Sequence, residues 1–461
     1  MFPSAVLDHI DTHLQESLDR LFALLRIPSI SADPTFKADV DRAADWLVAQ
    51  LEDIGFSASK RPTPGHPMVV AHYDKAGADK PHVLFYGHYD VQPVDPLELW
   101  TTPPFEPRLE KQPDGTTRIL GRGADDDKGQ MMTFVEACRA YIAATGALPA
   151  NVTILSEGEE ESGSPSLVGF LEANKAELSR HLALICDTDM WDRTTPAITT
   201  MLRGLVGEEV IISCADRDLH SGMFGGAALN PLHVLTKVLA GLHDDDGRVT
   251  LPGFYDGVVD IPPALAANWQ GLGFDGDAFL GAVGLTAPAG EVGRTVLEKI
   301  WARPTCEVNG VSGGYAGDGF KTVLPAKAIA KVSFRLVGQQ DPDKIRTAFR
   351  QYVRASLPAA ARVAFHEHGG SPAVALPFDS HELAAAAGAL TEEWGKPAAI
   401  TGSGGSIPVA GYFRHILGMD TLMIGFGLAD DRIHSPNEKY ELTSFHKGMR
   451  SWARILAVLA N

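Results

Sequence analysis

The chain has 461 residues, and its 45% of apolar and 21% of charged residues exclude a disordered or fibrous protein. The formal charge of −18 at pH 7 repels phosphate backbones and anionic lipid, so no nucleic-acid or membrane partner is expected. No apolar run reaches the roughly 18 residues that a membrane-spanning helix needs, and the opening MFPSAVLDHIDTHLQ has no signal-peptide pattern. The four cysteines are far apart in the sequence and predict no disulfide framework. We therefore expect a cytoplasmic protein of two or three domains.

In the first 200 residues, helical patterns alternate with short apolar, β-branched runs. Leucines and isoleucines at steps of three and four predict a helix from Ile10 that stops before Pro28, and a second helix that ends at Gly55. The predicted strands are 68–73, 82–88, 152–157 and 182–187, and further helices are predicted near 128–145 and 165–178. This alternation predicts an α/β sheet with helices on its faces.

The middle of the chain has a different pattern. Strands are predicted at 206–215, 327–337 and 362–368, and helices after Asn230-Pro231 and Asp341-Pro342, while 244–295 is hard to assign. The first pattern returns after about residue 376, with a helix at 381–394, a strand at 419–428 and a terminal helix. We therefore predict one α/β domain (1–200 and 377–461) that is interrupted by an inserted α+β domain (201–376).

Histidines and carboxylates follow the predicted core strands at the points where these strands end. These residues are His88, Glu160 with Glu161, Asp187 and, after a short loop, His434, and the loop 121–129 adds Asp126. In open α/β sheets, ligands bind at the carboxyl ends of the strands. We therefore expect these side chains to meet at one edge of the sheet.

Imidazole and carboxylate groups are ligands for zinc and similar divalent ions. Two histidines and at least three carboxylates suit two ions that share one carboxylate and a water. Glu160, beside Glu161, is placed to be the base that takes a proton from that water. Asp90 follows His88 by two residues and can accept the second N–H of its imidazole.

Each motif also has a structural interpretation. A histidine at a strand end is more often part of a hydrogen-bonded structure than a metal ligand. The acids at 125–127 could be a solvated turn or could favour a helix N-terminus, and Glu159–Glu161 could be an exposed loop. The metal hypothesis is preferred because all of these residues fall at strand ends on one edge of the predicted sheet.

Five segments together resemble the di-zinc exopeptidases, a family that includes aminoacylase, acetylornithine deacetylase, carboxypeptidase G and the carnosinase-like dipeptidases. The segments are LFYGHYDVQP (84–93), GRGADDDKG (121–129), EGEEESGS (157–164), the strand end at Asp187 and RIHSPNE (432–438). Further segments resemble the carnosinase-like, cytosolic dipeptidase branch, namely WTTPPFEP (100–107), DLHSGMFGG (218–226), CEVNGVSGGY (306–315), SFRLV (333–337) and GGSIP (404–408). The resemblance runs from about residue 15 to the C-terminus, and it implies a mixed-sheet catalytic domain with an inserted lid and dimerisation domain.

The resemblance implies a ligand set for two divalent ions, Zn²⁺ in the first place and Mn²⁺ or Co²⁺ as alternatives. Asp126 would bridge the ions and be followed by a cis peptide to Asp127. One ion would take Asp126, Glu161 and His434, and the other Asp126, His88 and Asp187. Asp187 is preferred to Asp189 because Pro196 follows it by nine positions, as in the family pattern. Glu160 matches the family's general base, and Asp90 matches the residue that supports His88.

Four further residues are implied as substrate contacts. His220 would stabilise the oxyanion in the site of a partner subunit, and Arg335 would bind the C-terminal carboxylate of the substrate. Ser406 and Asn309 match other substrate-binding positions of the branch. The alternatives are a loop histidine and a surface arginine. The segment TTMLRG (199–204) lacks the pattern common in the branch, which affects the expected substrate preference more than the mechanism.

These features predict a homodimeric di-zinc dipeptidase that acts on dipeptides or short peptides with a free C-terminal carboxylate. A second hypothesis keeps the metals and changes the bond, with N-acyl amino acids as substrates for a deacylase. A nucleotide-binding protein is disfavoured, because the acids of the loop 121–129 repel phosphate and TGSGGS (401–406) has no following lysine. A homologue without activity is disfavoured by the presence of Glu160, which metal binding alone does not require.

Overall fold

The computed structural model describes residues 4–405 and 407–460. The strands are, in chain order, β1 (Ser57–Arg61), β2 (Met68–Tyr73), β3 (His82–His88), β4 (Arg108–Lys111), β5 (Thr117–Leu120), β6 (Asn151–Glu157), β7 (Leu182–Ile185), β8 (Ala197–Leu202), β9 (Gly204–Ser213), β10 (Leu219–His220), β11 (Thr305–Gly313), β12 (Val323–Leu324), β13 (Lys327–Leu336), β14 (Arg362–Ser371), β15 (Val374–Ala375), β16 (Ala399–Ser403), β17 (Asp420–Met423) and β18 (Lys439–Glu441). The α-helices are α1 (Ser4–Thr12), α2 (Leu14–Leu25), α3 (Lys37–Asp53), α4 (Lys128–Thr145), α5 (Leu167–Ala173), α6 (Lys175–Leu178), α7 (Ser221–Phe224), α8 (Pro231–Ala240), α9 (Pro263–Gly271), α10 (Gly276–Gly281), α11 (Pro342–Ala355), α12 (His381–Trp394), α13 (Pro408–Tyr412) and α14 (Leu442–Leu459). Shorter 3-10 turns span Pro34–Phe36, Leu97–Leu99 and Glu160–Ser162, and π-helical turns span Glu298–Ala302 and Phe413–Leu417.

The chain divides into two compact units. The first unit comprises Met1–Thr200, Leu376–Thr401 and Tyr412–Asn461, and the second comprises Met201–Ala375 and Gly402–Gly411. The segment Gly402–Gly411 was predicted to lie in the α/β domain, but it groups with the second unit. Arg203 explains this difference, because its backbone N–H donates to the carbonyl of Gly405 (3.2 Å) and its Nε donates to that of Gly404 (3.2 Å).

A twisted mixed sheet organises the first unit. Its strands follow the order β1-β2-β6-β3-β7-β17-β8, and the four neighbours β6, β3, β7 and β17 run parallel. Because these four strands point the same way, their carboxyl ends lie along one edge of the sheet, as the sequence predicts. The strand predicted at 419–428 is shorter, since the ladder ends at Met423. Beyond it Gly425 lies so close to the backbone of Thr188 that a Cβ would be 1.8 Å from the Thr188 carbonyl oxygen.

Helix α4 is the central helix of the first unit. Nearly every residue from Lys128 to Tyr141 is buried, since α4 packs against β3 and against the helices α1, α2 and α14. The rings of Phe85 and Phe134 stack at 3.9 Å, and Trp452 meets Phe134 edge-on at 5.4 Å. This aromatic contact fixes α4 on the sheet, and it places the start of the helix beside the carboxyl end of β3.

Two helical predictions are wrong in detail. The pattern from Ile10 to Leu25 predicts one helix, but the structure has α1 and α2, which are separated at His13. The helix predicted near 165–178 is likewise divided into α5 and α6 at Asn174. The apolar periodicity continues across both breaks, because the broken segments pack on the same core.

The second unit contains an antiparallel sheet in the order β11-β13-β9-β14. Burial alternates along β9 and β13, and the buried face packs on α8 and α11 through a core that includes Val210, Phe334 and Phe349. Helices α9 and α10 form in the segment that could not be assigned from sequence. No helix within the described ranges has both the length and the apolar character needed to cross a bilayer.

Candidate metal centre

Asp126 faces two histidines from different parts of the chain. His88, fully buried at the end of β3, places Nε2 3.1 Å from Asp126 Oδ1. His434, in the loop before β18, places its Nε2 3.0 Å from Asp126 Oδ2 and 3.2 Å from Glu161 Oε2. The two oxygens of one carboxylate are therefore directed to two different sets of ligands.

The side chains form two groups that can each hold a metal ion. His88, Asp126 and Asp187 make one group, and Asp126, Glu161 and His434 make the other, with the ligand atoms of each group within 4.8 Å of one another. Asp126 belongs to both groups, while Asp189 belongs to neither. Nitrogen and oxygen donors in this number suit two divalent ions that share a carboxylate. The residues present therefore fit a di-metal centre.

The backbone around these ligands has unusual conformations. The peptide between Asp126 and Asp127 is cis, as the resemblance implies, and Asp127 Oδ2 accepts a hydrogen bond from the backbone N–H of His88 (2.9 Å). His434 has a φ of 59°, in the left-handed region that a histidine seldom adopts. A left-handed φ at a residue other than glycine is found preferentially at functional sites.

Asp90 connects the end of β3 with the turn that carries the two glutamates. One of its carboxylate oxygens lies 3.3 Å from His88 Nδ1. The same carboxylate accepts hydrogen bonds from the backbone N–H groups of Glu160 (3.3 Å) and Glu161 (3.1 Å). The backbone carbonyl of Asp90 lies closer to His88 Nδ1 (3.1 Å), so Asp90 orients the imidazole through both groups, and its buried side chain also fixes the turn that presents both glutamates.

The site concentrates acids in a poorly solvated place. Burial raises the pKa of Glu160 to about 8; His88 opposes this shift, while Asp187 and Glu161 add to it. Burial, with Asp126 next in effect, raises the pKa of Asp187 to about 7. Hydrogen bonds to Asp126 and Glu161 raise the pKa of His434 to about 10. Without cations the site must hold protons to limit repulsion between carboxylates, and divalent ions can replace those protons.

Two supporting residues lie within recognised motifs, but sequence reasoning gave them no role. Gln92, four residues after His88, donates from Nε2 to Glu161 Oε2 (2.8 Å). Glu438, four residues after His434, accepts hydrogen bonds from the loop that carries Asp126. Their position in LFYGHYDVQP and RIHSPNE was the available signal, since these segments also contain predicted ligands.

Three of the four predicted substrate contacts belong to the second unit, and the fourth lies outside the described residues. His220 is exposed, and its Nδ1 accepts a hydrogen bond from the N–H of Gly222 (3.0 Å). Arg335 is half-buried on the face of β13 opposite the helices, and Asn309 is exposed where a bulge interrupts the pairing of β11 with β13. Ser406 lies outside the described residues. The roles of all four stay predictions.

Comparison with known proteins identifies the family. The model of peptidase family M20/M25/M40 matches residues 84–458, which is most of the chain. The chain belongs to this family. A relative with 30% identity is the Cys-Gly metallodipeptidase dug1 of Schizosaccharomyces pombe, and the match covers 98% of this chain and 97% of the relative.

Solved structures agree with this assignment. Human carnosine dipeptidase 1 is 27% identical and has a TM-score of 0.77, with all of both chains covered. The M20 family metallo-carboxypeptidase Sso-CP2 from Sulfolobus solfataricus is 30% identical, with a TM-score of 0.82 over 96% of this chain and 99% of that one. The predicted family, its carnosinase-like branch and the predicted fold class are therefore confirmed, and so is the prediction of a metal-dependent dipeptidase.

Proposed function

We propose that this member of the family hydrolyses the peptide bond of dipeptides and other short peptides with a free C-terminal carboxylate, with Glu160 as general base. The observation that carries the proposal is the shared position of Asp126 in two ligand groups, with Glu160 next to the ligand Glu161. A centre of this kind suits hydrolysis because it can activate water and polarise a carbonyl at the same time.

His88, Asp126 and Asp187 would hold one ion, and Asp126, Glu161 and His434 the other. Bound divalent ions would supply the positive charge that acidifies a water and polarises the scissile carbonyl. Glu160 takes a proton from the attacking water and then donates it to the nitrogen of the leaving amine. Glu160 suits both steps because a carboxylate next to a ligand can accept the proton of the water and pass it on to the leaving nitrogen.

Arg335 is proposed to bind the C-terminal carboxylate of the substrate. Its guanidinium is half-buried on the face of β13 opposite the helices, and a planar guanidinium can bind a carboxylate through two hydrogen bonds. His220 is proposed to stabilise the oxyanion that develops on the scissile carbonyl, and its exposed position in the second unit leaves it accessible. Asn309 and Ser406 are proposed as additional polar contacts to the peptide.

Dipeptides are proposed as substrates in preference to N-acyl amino acids. The relatives include Cys-Gly metallodipeptidases from yeasts and beta-Ala-His dipeptidases from mammals, whose named substrates are dipeptides. The deacylase hypothesis has no such support among these relatives. Zn²⁺ is the proposed metal, with Mn²⁺ or Co²⁺ as alternatives, because the imidazole and carboxylate donors suit all three ions.

The assembly is proposed to be a homodimer formed through the second unit. This proposal rests on the resemblance to the carnosinase-like branch, and sedimentation analysis of the purified protein tests it, since a monomer at micromolar concentration would contradict it. The cytoplasm is the proposed location, supported by four cysteines that are all free, three of them buried.

The decisive experiment combines metal analysis with a substrate panel. Purified protein should contain close to two divalent ions per chain and should cleave dipeptides faster than tripeptides, C-terminal dipeptide amides, or N-acetyl and N-succinyl amino acids. The amides test the role of Arg335, because they lack the carboxylate. Preference for the acylated amino acids would replace the proposed activity with deacylation, and preference for longer peptides would indicate a carboxypeptidase.

A further inference from the structure

Glu438 is a buried acid whose carboxylate accepts four hydrogen bonds from a single loop. Its Oε2 accepts from Nη1 of Arg122 (2.7 Å) and from the backbone N–H of Gly123 (2.9 Å). Its Oε1 accepts from the backbone N–H groups of Asp125 (3.0 Å) and Asp126 (3.2 Å). The side chain is completely buried, so water does not compete for these donors.

These bonds determine the shape of the loop between β5 and α4. Residues 121–127 lie outside the helices and strands, so their buried N–H groups lack the partners that regular structure supplies. An ionised carboxylate is a strong acceptor, and a buried N–H without a partner is costly. Glu438 therefore defines the path of the backbone up to Asp126, the residue shared by both ligand groups.

The ion pair between Arg122 and Glu438 also reaches the segment that follows His88. Nη2 of Arg122 donates to the carbonyl oxygen of Pro93 (3.0 Å), and its guanidinium lies 5.4 Å from the ring centre of Trp100. The neighbouring Gln92 donates to the predicted ligand Glu161. Glu438 itself belongs to the segment that carries His434. Three ligand-bearing segments, 88–93, 121–126 and 432–438, are thus joined through one buried ion pair.

We propose that Glu438 is the positioning residue of the metal centre, which holds Asp126 in the orientation that directs Oδ1 to His88 and Oδ2 to His434. The inference rests on the proposed di-metal function. The hydrogen bond between Glu438 and Asp126 is to the backbone N–H of Asp126, so Glu438 acts through this ligand and not on the substrate. Removing its charge should weaken both ions together, because both depend on Asp126.

The test is the variant Glu438→Gln, whose amide NH2 would face backbone N–H groups in place of an acceptor. Substitution of a residue that holds a metal ligand in place lowers metal affinity by roughly 10–100-fold. We expect a loss of affinity of this size for both ions, measured by competition with a chelator. The absorption spectrum of the Co²⁺-loaded protein should also change, because the geometry around Asp126 changes. The KM for a dipeptide should change little once metal is saturating.

Glu441→Gln is the matched control. Glu441 is also buried, in β18. It pairs with Arg193 (3.3 Å), Lys439 (3.4 Å) and Arg118 (3.4 Å), and none of these three residues is a proposed metal ligand. It should keep the metal affinity and the Co²⁺ spectrum of the parent. Equal losses in the two variants would reduce Glu438 to a general structural role and overturn the proposal.

Glu438→Asp provides a second test in case the glutamine variant does not fold. Aspartate keeps the charge but is shorter by one methylene, so we expect a folded protein with an intermediate loss of metal affinity. Parent-like affinity for both ions in Glu438→Asp, or in a folded Glu438→Gln, would overturn the inference. The failure of this inference can be distinguished from the failure of the proposed function. A parent protein that binds two ions but cleaves no dipeptide would contradict the proposed function and leave the role of Glu438 in metal binding unaffected.

Discussion

Asp126 and Asp90 show how single side chains organise the proposed centre. The oxygens of Asp126 lie 3.1 Å and 3.0 Å from the imidazoles of His88 and His434, so its orientation affects both ligand groups. Asp90 accepts from the backbone of Glu160 and Glu161, which places the proposed base beside a proposed ligand. At this scale, the chemistry depends on carboxylates held by backbone donors.

Glu160→Gln is expected to separate metal binding from turnover. The amide cannot take the proton of the attacking water, so kcat should fall by roughly 10²–10⁴-fold, while the metal content stays at the parent value. Metal analysis and dipeptide hydrolysis on the same preparation measure both quantities. The control is Glu172→Gln, an exposed acid in α5, which should leave both unchanged. Parent-like activity in Glu160→Gln would mean that another group is the base.

At the scale of elements, the site depends on the close approach of helix α4 to the loop before it. Four parallel strands deliver His88, the Glu160–Ser162 turn, Asp187 and the chain toward His434 to one edge. The loop 121–127 supplies Asp126 and must pass directly over the first turn of α4. Gly129 allows this passage, because a Cβ there would be 1.8 Å from the carbonyl oxygen of Ala124.

Gly129→Ala and Gly388→Ala should therefore change stability in opposite directions. The first must displace the loop, so we expect a loss of more than about 1 kcal/mol in the free energy of unfolding and weaker metal binding. Gly388 lies in α12, and a Cβ there meets no atom within 4 Å, so alanine should stabilise the protein by roughly 0.4–1 kcal/mol. Urea unfolding of metal-free protein measures the change in the free energy of unfolding for each variant. A neutral Gly129→Ala would show that the loop can move at no cost.

For the whole molecule, the buried acids of the first unit link stability to pH and to metal. Burial raises the pKa values of Glu160 to about 8 and of Asp187 and Glu157 to about 7. The native metal-free protein therefore binds protons that the unfolded chain has already released above about pH 4.5. Stability then falls as pH rises through these folded-state values. The raised pKa of His434 acts in the same direction, since its stabilising contribution is lost as pH rises toward 10.

We expect the melting temperature of metal-free protein to fall between pH 5.5 and pH 8, and the stabilisation by added Zn²⁺ or Mn²⁺ to increase over the same range. Metal ions replace the protons of the site, so they bind more tightly where those protons are already weakly held. The lowered pKa of Asp126 contributes stability that is constant above about pH 4 and is lost only as pH falls below that value, so it does not change stability over this range. Thermal melts with chelator and with metal at several pH values measure the effect. Metal stabilisation that is independent of pH would contradict it.

The motifs of the sequence were sufficient to predict the family, the fold class and the residues that the structure groups at the sheet edge. His88 is the last residue of β3, and Asp187 and the Glu160–Glu161 pair come shortly after the ends of β7 and β6, so local pattern alone placed them at strand ends. Hydrophobic periodicity also predicted α4 and α12 with the bounds that the structure has. These features are local, because a strand or helix of this kind is determined by its own residues.

Contacts between distant segments were decided only by the tertiary structure. The roles of Glu438 and Gln92 depend on donors and acceptors that lie many residues away, so their position within the motifs indicated that they matter but not which groups they bind. Two other differences also come from contacts between distant segments. Strand β17 ends early, at Met423, where Gly425 approaches Thr188. The segment Gly402–Gly411 groups with the second unit, where Arg203 donates hydrogen bonds to it. Sequence patterns record which face of an element is apolar. The partner of a buried polar group is determined only when the chain has folded and water has been excluded.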